Sequence, residues 1–262
     1  MTSDAAWVGS MPEAYDQLLG PVKFTPYAKE LALRAAAFGP SDVLEIAAGS
    51  GLLTRELVEA IPGARITATD LNPPMVAWGS EHAIGASWAV ADAQDLQYED
   101  TSVDVVAIGF GVMFFPDKVK ALSEVRRVLR PGGALVFSVW DAFETVPFTR
   151  DVYDELVKLF PEDPPDFFAR VPYGYHDGDT IRADLAAAGF TEVVIEHVEL
   201  TTTAASAASY VDGYCYGTPL RFSLTELGDL DTIAATLRAA LTARWGEGPI
   251  EQEMSAYVVT CL

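Results

Sequence analysis

Residues 43–54 read VLEIAAGSGLLT, and the rest of the chain is arranged around them. Val43, Leu44 and Ile46 form a short apolar run of buried-strand type, Gly49 and Gly51 follow at once, and Leu52, Leu53, Leu57 and Val58 recur at helical spacing. This is strand, tight glycine turn, helix. A glycine lacks Cβ and adopts positive φ without strain, so the turn lets backbone approach a ligand, while the helix start offers unpaired N–H groups. A nucleotide-like ligand is the first expectation.

Composition narrows the partner classes. The chain has 262 residues, 50% hydrophobic and 11% aromatic, enough for one large core with appended cap elements. With 38 acidic and 17 basic residues the formal charge is −21, which repels a polyanion at long range and leaves few cations for phosphate contacts. Nucleic acid is not an expected partner. Cys215 and Cys261 are too few for a disulfide framework and have no metal-ligand spacing, so no metal is expected. The N-terminal sequence lacks a basic segment followed by an apolar run, and no stretch approaches the length of a membrane span, so the expected location is cytoplasmic.

In chain order, Ala14, Leu18 and Leu19 suggest a short helix and residues 29–38 a longer one, stopped by Gly39-Pro40. Strands and helices then alternate: strands at 64–70, 88–90, 103–109 and 134–140, with a helix at 118–129 stopped by Arg130-Pro131-Gly132-Gly133. Residues 143–179 hold five prolines and many aromatics, which fits a cap better than a further sheet layer. A helix at 180–188, a strand at 193–202, helices within 224–245 and a last strand at 255–262 complete the pattern. One domain spanning 1–262 is expected, divided into an N-terminal helical cap (1–40), a ligand-binding half (41–140), a cap insertion (141–190) and the C-terminal part of the sheet (191–262).

Two acids follow the glycine turn in register. Asp70 ends the second strand about 20 residues past the turn, the separation at which a carboxylate accepts two hydrogen bonds from a ribose diol. A helix cap or turn aspartate before Asn72-Pro73-Pro74 is the structural alternative. Asp92, after the third strand, offers an acceptor to an adenine amino group, and the backbone N–H of Ala93 faces a ring nitrogen.

The ordered set, Glu45-x-Ala47-x-Gly49-x-Gly51, Asp70, Ala91-Asp92-Ala93 and Leu129-Arg130-Pro131-Gly132-Gly133, resembles class I S-adenosylmethionine-dependent methyltransferases over about residues 41–140. It looks closest to the small-molecule branch that includes ubiquinone and menaquinone methyltransferases. The resemblance implies an α/β fold: a Rossmann-like, seven-stranded, mostly parallel sheet with helices on both faces and the last strand antiparallel. It implies S-adenosyl-L-methionine as cofactor, with Glu45, Ala47, Ala48, Gly49 and Gly51 at its methionine part and Asp70 at the ribose. Leu71 and Met75 would face the adenine, Asp92 and Ala93 would meet its edge, and Phe110 and Gly111 would complete the methionine pocket.

Two departures bear on this. Ala47 stands where the family often has Gly, and is small enough to permit close approach. Asn72-Pro73-Pro74-Met75 looks like the motif with which some members methylate amide or exocyclic amino groups, yet it follows strand two rather than strand four, where Phe110-Gly111-Val112-Met113 stands. The rivals are a nicotinamide or flavin oxidoreductase and a cofactor-binding member that regulates or rearranges instead of methylating. The oxidoreductase fingerprint wants Gly or Ala at Thr54.

Methyl transfer depends mainly on alignment, and a base is needed only where the nucleophile starts protonated. His176 is the expected base because it lies in the cap loop Tyr173-Gly174-Tyr175-His176-Asp177, with a surface histidine as the alternative. Tyr15, Phe24, Tyr27, Trp140, Phe143, Phe148, Phe167, Phe168, Tyr173 and Tyr175 imply a hydrophobic small-molecule substrate, such as a quinone, phenol, polyketide or lipid-like compound.

Overall fold

The strands are β1 (Asp42–Ile46), β2 (Arg65–Asp70), β3 (Ser87–Val90), β4 (Val103–Gly109), β5 (Leu129–Trp140), β6 (Val193–Ala204) and β7 (Ile250–Cys261). They form a single sheet in the order β3-β2-β1-β4-β5-β7-β6. The structure is a computed structural model describing residues 3–262; Met1 and Thr2, the start of the expected 1–40 cap, lie outside the described residues. β1 to β5 pair in parallel, and β7 runs antiparallel between β5 and β6. The expected seven-stranded, mostly parallel α/β fold is the one observed.

Burial follows position in the sheet. Every residue of β1 is buried and β4 is nearly so, because helices cover both faces of these central strands. β6 lies on an edge, and its burial alternates for most of its length. Strand order reverses between β1 and β4, and in open α/β sheets ligands bind outside the carboxyl ends of the strands at this switch point. The glycine turn leaves β1 there, and residues 110–116 leave β4 beside it.

Several boundaries differ from the sequence expectation. β5 begins at Leu129 rather than 134: Leu129 pairs with Val103, the register shifts, and Ala134 pairs with Val105. The 130–133 turn is thus a bulge within the strand. It is pinned by Arg130, which donates to Asp42 at 3.0 Å and Asp104 at 2.6 Å across the strand starts. β7 begins at Ile250 rather than 255, because its whole length is paired with β6.

The N-terminal helices are one continuous helical run rather than two. Met11–Ala14 leads into a π-helical segment, Tyr15–Phe24, and on into Thr25–Ala36. Pro21 lies inside the π segment, where i→i+5 pairing replaces the regular α ladder. Asp16 ties this segment to the glycine turn by accepting from Ser50 at 2.9 Å and Arg55 at 2.7 Å.

Behind it stands Ala207–Gly217, a helix that the sequence reading did not resolve. Its Gly213 and Gly217 let the two segments touch: a Cβ on Gly217 would come within 2.8 Å of the Tyr15 backbone nitrogen. The cap over the sheet therefore draws on residues 3–36, on the helices Pro147–Leu159 and Phe167–Arg170, and on the helices inserted between β6 and β7.

Candidate functional site

A cavity of about 450 Å³ opens at the switch point. Its wall includes Ala47 and Gly49 of the glycine turn, Asp70, Leu71 and Met75 after β2, Asp92 and Ala93 after β3, and Phe110 and Gly111 after β4. Nine residues chosen from sequence thus meet in one place. Ala5, Trp7 and Tyr15 close it from the N-terminal side, and Phe114, Phe115 and Pro116 from the far side.

Gly49 has φ +57° and nothing within 4 Å of where a Cβ would stand, so it presents bare backbone to open space. Asp70 is buried beside it. One carboxylate oxygen accepts from the Gly49 N–H at 2.9 Å, and the other from the Asn72 N–H at 2.8 Å. These bonds resist a burial cost that raises its pKa above the ordinary carboxylate value. Asp70 is thus the turn aspartate of the structural alternative, with no side-chain cap on the following helix, and it also lines the cavity. Asp92 is held similarly, accepting from the Gln94 N–H at 2.9 Å.

Ala47 has φ +55° and Phe110 φ +53°, conformations that side chains disfavour. Ala47 is therefore more than a small residue at a glycine position: it occupies a glycine conformation, at the point where Gly111 packs so close that a Cβ there would lie 2.6 Å from its own. Strain of this kind gathers where backbone is shaped for a ligand.

Three expected contacts lie off the main cavity. Glu45 is buried behind the turn beside a small cleft that Ala48 also lines, and it accepts a 2.6 Å hydrogen bond from Thr54. Burial raises its pKa to about 8. The threonine that departs from the dinucleotide fingerprint thus holds the Glu45 carboxyl in place. Gly51, at φ +90°, serves packing: a Cβ there would meet Ala83 at 2.8 Å.

His176 is not brought to either cavity. Its Nδ1 lies 2.7 Å from the Tyr173 carbonyl oxygen, fastened to its own loop by a local turn. The expected base thus lies outside the residues that line these cavities.

A second, smaller cavity of about 50 Å³ shares Trp7, Tyr15, Phe110 and Phe114 with the first. Its other walls come from the cap: Leu19, Lys23 and Phe24 of the π segment, Trp140 at the end of β5, Phe167, Phe168 and Tyr173, and Tyr214 of the 207–217 helix. Trp140 stacks on Phe110 at 3.9 Å between ring centroids. Of the aromatics expected at a substrate mouth, Tyr15, Phe24, Trp140, Phe167, Phe168 and Tyr173 do line it. Tyr27 instead donates to the Met254 carbonyl at 2.7 Å as a core strut, Phe148 stacks on Tyr210, and Tyr175 bonds to Asp184.

Sequence reasoning missed Trp7, Lys23 and Tyr214. For Lys23 a signal existed, a lone cation inside the apolar run GPVKFTPY.

Among the described residues no group of His, Cys, Asp and Glu could hold a metal ion, and no helix is long and apolar enough to cross a membrane. The first cavity fits S-adenosylmethionine: an open glycine cradle at one end, a buried carboxylate midway, and apolar walls at Leu71 and Met75.

Comparison with known proteins agrees. A family profile described as a methyltransferase domain matches residues 44–137. The chain is 33% identical over 172 residues to a demethylmenaquinone methyltransferase of Clavibacter sepedonicus, covering 61% of this chain and 68% of that protein. It is 42% identical over 113 residues to the Thermus thermophilus demethylmenaquinone methyltransferase, covering 42% of this chain and only 50% of that relative's length. The YcgJ protein of Bacillus subtilis shares the fold, with a TM-score of 0.56, 18% identity, and coverage of 90% of this chain and 97% of that one.

Proposed function

Since the chain belongs to the S-adenosylmethionine-dependent methyltransferase family, we propose that it transfers a methyl group to a hydrophobic small molecule that binds against the aromatic wall of the cap. The observation that carries this reading is the shared wall: Phe110 borders the cofactor cavity on one side and, with Trp140, the aromatic cavity on the other. A quinone-like, phenolic, polyketide or lipid-like acceptor suits those walls, and the relatives' names support the first of these.

Bound S-adenosylmethionine supplies an electrophilic methyl group on a sulfonium. The chain's own residues bind and align. Gly49 presents backbone, Asp70 stands ready to accept from the ribose, and Asp92 and Ala93 to read the adenine edge. The Phe110–Trp140 stack and the Trp7–Tyr15 edge contact place apolar rings at the junction of the two cavities. Alignment of this kind is worth about 7–11 kcal/mol, more than proton transfer supplies. The nicotinamide alternative gives way to the family assignment.

The test has two arms. S-adenosylmethionine and S-adenosylhomocysteine should each raise the unfolding temperature, and NAD should not. Label from the methyl group should then appear in an apolar metabolite extract. Cofactor binding with no label in any extract would favour the regulatory or rearranging alternative, and label in protein or nucleic acid would refute the small-molecule reading.

A further inference from the structure

Lys23 is 3% exposed, inside the aromatic wall of the second cavity. Its Nζ donates to the Tyr173 hydroxyl at 2.6 Å and to the Tyr214 hydroxyl at 3.2 Å, and it lies 4.3 Å from the Trp140 ring centroid. Both tyrosines are themselves fixed. Tyr173 donates to Thr149 at 3.3 Å, Thr149 and Tyr214 share a further hydrogen bond, and Gln252 anchors Tyr210 behind them at 3.1 Å. The network satisfies two of the three tetrahedral positions on the nitrogen. The third has no partner among the described residues.

The groups facing Lys23 are hydroxyls and rings: Tyr173 from the cap loop, Tyr214 from the 207–217 helix, Tyr15 from its own segment and Trp140 from β5. Among the described residues no carboxylate compensates its charge, and burial lowers its pKa to about 7. An unpaired lysine in such a cage costs stability unless a ligand uses it. The three surrounding rings lie within reach of cation–π attraction, so the charged form is tolerated once it is made.

On the methyltransferase reading of the site, we propose that the acceptor carries an acidic hydroxyl, a phenol or enol, and that Lys23 takes its proton and holds the resulting oxyanion. The O–H bond breaks, its electron pair stays on oxygen, and an N–H bond forms on Nζ, filling its free position. The product is an ammonium–oxyanion pair inside the aromatic cage, whose wall residue Phe110 also lines the cofactor cavity. A permanently ionised acceptor would call for a permanently charged arginine; a lysine that changes charge near neutrality matches an acceptor that must lose a proton.

The probe is 4-nitrophenol, whose phenolate is coloured, added to protein saturated with S-adenosylhomocysteine. The wild type should bind it as phenolate, with the colour transition shifted down by about one pH unit or more relative to the free probe. Lys23→Met should abolish that shift while keeping S-adenosylhomocysteine affinity within about twofold, a readout independent of turnover. Tyr214→Phe, which keeps the amine and removes one of its hydroxyl partners, should shift the transition by an intermediate amount and guards against misfolding of the first variant.

No binding or no shift in the wild type, or an equal shift in Lys23→Met, overturns the proposal. Failure of S-adenosylhomocysteine to bind would instead overturn the methyltransferase reading, and calorimetry on the wild type alone distinguishes the two.

Discussion

The two cavities meet at Phe110 yet are built on opposite principles. The cofactor side is made of backbone: a glycine turn, two strand-end aspartates and a strained residue after β4, each set by the few residues around it. The proposed acceptor side is made of side chains from four distant segments, with Lys23 bonded to partners 150 and 191 residues away in sequence. Conformation shapes the first site and packing the second. Damage to the cap should therefore register as lost stability and lost acceptor binding, and damage to the glycine half as lost cofactor affinity.

Phe168→Ala should produce the largest effect on stability. The ring is buried between Phe143 and Tyr214, so its removal should cost about 3–5 kcal/mol in denaturant unfolding. Cofactor affinity should hold within about twofold, since Phe168 lies only on the acceptor side. A large loss of cofactor affinity in a folded Phe168→Ala would break the division between the two halves.

Asp70→Ala tests the other side. Two backbone donors and the ribose would lose their acceptor, and S-adenosylhomocysteine affinity by calorimetry should fall on the order of 100-fold.

Glu45→Gln sharpens the comparison through pH. Burial raises the folded pKa of Glu45 to about 8 from an ordinary 4.5, so the folded state holds a proton that the unfolded chain releases in between. Wild-type stability from this group is intact below about pH 4.5 and is lost as pH rises towards 8. The glutamine variant removes that loss and should be more stable by about 4 kcal/mol at pH 8, with the difference vanishing near pH 4. A difference that does not change with pH would show that Glu45 is not buried in its neutral form.

Ala47→Gly should have the smallest effect. Relief of positive-φ strain and the extra backbone entropy of glycine nearly cancel, leaving a change under about 1 kcal/mol in thermal unfolding.

Legibility in the sequence divided along the same line. The strand that ends in Glu45-Ile46, the glycine turn and the acids at Asp70 and Asp92 could be read because each is a local pattern. Spacing along the chain fixes spacing across a parallel sheet, as the pairing of β1 with β2 and β2 with β3 shows. The placement of His176 had no such constraint: its loop was visible, but the turn that fastens its ring to Tyr173 was not. The continuation of β7 back to Ile250 was hidden too, because Glu251 and Glu253 lower its hydropathy and only pairing with β6 makes it strand.

By itself the sequence determined the sheet, its ligand turn and the cofactor, since strand periodicity, glycine placement and strand-end acids are short-range properties of the chain. Only the tertiary structure decided what the second, aromatic cavity contains. A lysine's charge state depends on what excludes water from it, and here that shell is assembled from Trp140, Tyr173 and Tyr214, residues that nothing in their local sequence marks as neighbours of Lys23.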